Sequence, residues 1–91
     1  MKEKRKQEIE KMRNFFDIFK YSGIRIYLKE YENFPTIYFY YAEKGRIRLI
    51  LDSDQSYCVW DDMTGKCIQR RLSFNGAFIV FSELILKKIY G

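Results

Sequence analysis

Residues 38–51, YFYYAEKGRIRLIL, place Tyr38 and Tyr40 in alternation with Phe39 and Tyr41, then Arg46 and Arg48 in alternation with Ile47 and Leu49. A period of two is the mark of a strand whose two faces differ. Between the two runs, AEKGR at 42–46 suits a type I turn followed by a left-handed Gly45, a three-residue hairpin connection. That turn pairs Tyr40 with Arg48 and Tyr38 with Ile50. On the other face it pairs Tyr41 with Ile47, Phe39 with Leu49 and Ile37 with Leu51. One side of the hairpin is tyrosine and arginine, and the other is apolar.

The same period extends in both directions. IRIYLKEYE at 24–32 alternates Ile24, Ile26 and Leu28 with Arg25, Tyr27, Lys29 and Tyr31, again a half-buried strand. Pro35 breaks the run, since it cannot donate to a ladder and restricts Phe34 before it. A short connection there sets Lys29 beside Tyr38 and Tyr27 beside Tyr40. Strands are expected at 36–42, 46–52, 57–61 and 66–73. DMTGK at 62–66 repeats the glycine turn chemistry, pairing Trp60 with Ile68, Cys58 with Arg70 and Cys67 with Asp61, which sends the two cysteines to opposite faces.

Helical spacing brackets the strands. Over 3–21, Ile9, Met12, Phe16 and Phe19, widened by Phe15 and Ile18, form one apolar stripe, and Gly23 can end the helix in a left-handed cap. At the other end, AFIVFSELILKKIY predicts a helix over at least 82–90, with Glu83 and Lys87 as an i,i+4 pair. Asn75-Gly76 is also a hairpin signal, so 76–81 fits either strand or helix. The expectation is an α+β fold in one domain spanning 1–91: an N-terminal amphipathic helix, an antiparallel β-meander of about five strands forming a strongly bent sheet or small barrel, and a C-terminal helix.

Composition narrows the function. The 91 residues are 47% hydrophobic and 19% aromatic, enough apolar area to offset ordering entropy. Net charge is +5, with an excess of +3 within residues 1–13, a balance that favours phosphate-bearing or acidic partners. The absence of histidine removes the usual general base near neutral pH. No phosphate-cradling glycine loop is present. The pairs Asp52/Asp54 and Asp61/Asp62 fall at opposite ends of one strand, too far apart for one metal. No enzyme activity, cofactor or metal is therefore expected. Without a secretory or membrane-spanning apolar segment, a cytoplasmic protein with reduced cysteines and no membrane partner is expected.

The face that carries Arg25, Tyr27, Lys29, Tyr31, Tyr38, Tyr40, Arg46 and Arg48 has no carboxylate in this reading. Rings interleaved with cations suit single-stranded RNA or DNA, with bases stacked on tyrosine and phosphates on lysine and arginine. The alternative is a protein-binding adaptor or inhibitor, of the small phage-encoded kind that blocks a host defence nuclease (anti-CRISPR type), since Tyr and Arg also dominate protein interfaces. A monomer or a homodimer is compatible with either.

Overall fold

Alternating apolar residues build a five-stranded antiparallel meander, and the two helical stripes supply its cover. The computed structural model describes residues 2–91. Its elements are α1 (Lys2–Phe19), β1 (Arg25–Lys29), β2 (Thr36–Tyr40), β3 (Arg46–Leu51), β4 (Tyr57–Asp61), β5 (Lys66–Leu72) and α2 (Phe74–Tyr90). Strand order is β1-β2-β3-β4-β5. The sheet stays open and bent, so the small-barrel form of the expectation is not the one adopted.

Both helices lie on the same face of this sheet. Met12 and Phe15 of α1 and Ala77, Phe81 and Ile85 of α2 join Ile26, Ile37, Phe39, Ile47, Leu49, Leu51, Tyr57 and Val59 in one buried cluster. Each large apolar side chain removed from water here contributes about 1.5–3 kcal/mol. Phe15 is the hub, packing edge-on against Phe78 at 4.9 Å and tilted against Phe81 at 5.7 Å. A buried polar pin fixes the other end of α1: the Tyr57 hydroxyl donates to Glu8 Oε1 at 2.9 Å, and Lys11 Nζ lies 3.0 Å from Glu8 Oε2. Arg5 ties loops to the same helix, donating to the carbonyls of Asp52 and Asn33, each at 2.9 Å. That guanidinium holds the fold together and is not a loose charge.

The observed pairing differs from the expected one in a regular way. Tyr40 faces Arg46, Tyr38 faces Arg48, and Thr36 faces Ile50; Arg25 faces Tyr40, Tyr27 faces Tyr38, and Lys29 faces Thr36. Both ladders are slid by two residues from the expected register. A slip of two preserves the faces because side chains alternate with period two. The slipped pairing continues to Tyr41, whose backbone N–H donates to the Gly45 carbonyl at 3.1 Å and whose ring lies over Gly45. Its hydroxyl donates to Asp61 Oδ1 at 3.3 Å, and Lys88 of α2 sits 4.5 Å from its ring centre. Gly45 is needed for this close approach and not for a left-handed turn, whereas Gly65 does take the left-handed conformation, φ 69°.

β5 keeps the expected register at Val59 and departs from it by one residue on either side. Trp60 pairs with Cys67 and Val59 with Gln69, with irregularities on both sides of Val59. Arg71 adopts φ 58°, where the strand bends. The shift brings Cys67 to the side occupied by Cys58, correcting the expectation of opposite faces; both thiols are free. At the chain's end, the Ser73 side chain accepts from the Gly76 backbone N–H, an N-cap that places Asn75-Gly76 inside the first turn of α2 and resolves 76–81 as helix.

Candidate nucleic-acid interface

With α1 and α2 both on one side, the opposite face of the sheet is left without a helix over it. Alternation brings to it Arg25, Tyr27 and Lys29 of β1, Thr36, Tyr38 and Tyr40 of β2, Arg46, Arg48 and Ile50 of β3, Cys58 and Trp60 of β4, and Cys67 of β5. Seven of the eight residues expected at the site are therefore brought together. Tyr31 is the exception: it follows the end of β1 and is 94% exposed in the loop. The two-residue slip carries it out of the sheet.

The rings and cations of the face are mutually packed. Tyr38 is held between Lys29, 5.3 Å from its centre, and Arg46, at 5.0 Å. This covers the ring, which is only 8% exposed. Tyr27 stands edge-on to Tyr40 at 5.6 Å and is 50% exposed. Arg25 lies 5.3 Å from the centre of Tyr40, and Arg48 6.0 Å from that of Trp60. Cation–π contacts of this kind contribute about 0.5–1 kcal/mol each at exposed sites. They also orient the guanidinium groups along the sheet.

Two carboxylates sit at the margins of the face, contrary to the expectation of none. Asp62, just beyond β4, accepts from Arg46 Nε and from Arg48 Nε, the latter at 2.9 Å. Glu32 accepts from the Tyr38 hydroxyl at 3.4 Å. Hydrogen bonding to Tyr40 first, and to Asp62 next, raises the Arg46 pKa above its ordinary value. Asp62 reaches the arginines through the β3–β4 pairing, its backbone N–H donating to the Arg46 carbonyl at 2.8 Å, a pairing for which the sequence offers no turn-based register. Arg25 and Lys29 make no ion pair among the described residues.

Three shallow hollows follow one another across the face. One lies over Arg25, Tyr27, Lys29, Tyr38 and Tyr40; the next is lined by Glu32, Thr36, Tyr38, Arg48 and Ile50; the third, toward β5, by Asp52, Cys58, Trp60, Cys67 and Arg70. Trp60 was missed as a site residue, although its alternation with the core residue Val59 was a signal for this face. In the third hollow, burial above all pushes the Cys58 thiol up to about 11, so it stays protonated at neutral pH. Among the described residues no group of three His, Cys, Asp or Glu could hold a metal ion, and no helix is long and apolar enough to cross a membrane.

The chain matches no protein-family model, no curated protein and no solved structure.

Proposed function

We propose that this protein is a non-catalytic module that binds single-stranded nucleic acid across the open sheet face. The observation that carries the reading is a sheet face left bare by both helices, on which partly exposed rings alternate with cations and two of those cations lack a carboxylate partner. Tyr27, Tyr40 and Trp60 supply surfaces for bases, each stacked base being worth about 1–3 kcal/mol. Arg25 and Lys29 supply the phosphate contacts. Tyr38 supports the face from beneath and positions Lys29 and Arg46.

The test is a titration of labelled single-stranded RNA and DNA oligonucleotides followed by tyrosine and tryptophan fluorescence. Two phosphate contacts on a single strand predict roughly a sevenfold loss of affinity between about 50 and 200 mM salt. Quenching should accompany binding and should diminish in Tyr27→Ala. Absence of binding at low salt would overturn this reading and leave a protein partner for the same Tyr- and Arg-bearing face.

A further inference from the structure

α2 has an outer surface that the monomer does not use. Ile79 is 55%, Leu86 52% and Tyr90 83% exposed, although an apolar side chain on a helix ordinarily turns toward a core. With Glu83 these residues stand at spacings of four, three and four, which on a helix confines them to an arc of roughly 60°.

The charges beside the stripe, Glu83 and Lys87, fit a second copy of this chain as its occupant. Two helices packed antiparallel about a two-fold axis present the same residues to each other in reverse order, as an isologous interface requires. Reversal of the stripe places Ile79 against the partner's Tyr90 and Glu83 against the partner's Leu86, with the partner's Lys87 one position further. The charges agree with this arrangement. Glu83 and Lys87 are both exposed, and the i,i+4 pair expected between them is not formed; neither makes an ion pair among the described residues. Each is free to pair with its opposite across the axis, twice per dimer.

We infer that the chain self-associates through the outer face of α2 as a two-fold antiparallel helix pair, with Glu83 bound to the partner's Lys87. A helix pair of this length buries less than the ~800 Å² per partner of a standard interface, so the association is weak and concentration-dependent. Because α2 covers the side of the sheet opposite the open face, the dimer leaves both open faces outward. The inference does not depend on what those faces bind.

Sedimentation equilibrium across roughly 10 to 500 µM, a range that brackets a micromolar association, provides the test. The wild-type mass should climb from 11.2 kDa toward twice that value. Leu86→Glu should weaken association at least tenfold, Glu83→Lys should weaken it by placing like charges together, and Glu83→Lys with Lys87→Glu should return it to within about threefold of wild type. Far-UV circular dichroism checks that each variant is folded, and Ile79→Glu replaces Leu86→Glu if the latter is not. A wild type that stays monomeric overturns the inference, as does a dimer that survives both apolar substitutions. A double variant no better than Glu83→Lys overturns the antiparallel pairing.

Discussion

Asp62 decides how much of the positive charge on the open face is available. Its two carboxylate oxygens take one guanidinium each, from Arg46 and Arg48, in the manner those groups would take a phosphate. Asp62→Asn removes the competing charge and keeps the shape. In that variant, affinity for single-stranded nucleic acid should rise, and the salt-induced loss should steepen from about sevenfold toward about fiftyfold as the contacts go from two to four. An unchanged salt slope in a variant that still binds would show that Arg46 and Arg48 do not reach the phosphates. Little of this was legible in the sequence, because Asp62 lies in a turn, where acids are ordinary, and the β3–β4 pairing that carries it to the arginines has no turn signal of its own. Seven of the eight residues expected at the site were legible as a face because alternation alone assigns sides. Tyr31 failed because alternation does not say where a strand stops.

The slip itself is an event at the level of elements, and it sets Tyr41 opposite Gly45. Turn chemistry favoured a three-residue connection after Ala42, but no local rule weighs that preference against a ring that can reach Asp61 and Lys88. A methyl group at position 45 would collide with the Tyr41 ring. Gly45→Ala should expel Tyr41 from its seat between β4 and α2 and cost on the order of 1–3 kcal/mol, read as a lower urea midpoint with unchanged slope. If stability is unaffected, the ring has room to move and does not hold the register. Helix α2 teaches the same lesson from the other side. Asn75-Gly76 is a strong local hairpin signal, yet the Ser73 cap and the contacts of Phe74 and Phe78 with Phe15 win, because they bury aromatic area that a hairpin would leave in water.

For the molecule as a whole, the helix–meander–helix order was readable because each segment has one clear period, and the openness of the sheet was not, since closure depends on how far five strands bend. Stability should depend on pH through two buried groups. Burial, and after it the bond to Glu8, raises the Tyr57 pKa, and burial raises Cys58 from 9.0 to about 11. A raised folded pKa leaves its contribution intact below the unfolded value and removes it as pH climbs toward the folded one. Urea midpoints should therefore hold to about pH 9 and fall between roughly pH 9 and 11, Cys58 alone accounting for on the order of 2 kcal/mol. Cys58→Ala should flatten part of that fall. A profile that is level to pH 11 in the wild type would contradict the burial of both groups.

An open sheet has two unpaired borders, and any chain with such borders can stack into fibres. Here neither border offers a usable template. If β1 met a second β1 antiparallel and centred on Tyr27, Arg25 would stand directly opposite Lys29 of the other copy, and like charges so placed repel. At the far border, the two irregularities of β5 twist the backbone away from the flat line that strand addition needs. Both borders thus work against strand-to-strand stacking while the aromatic face between them stays open.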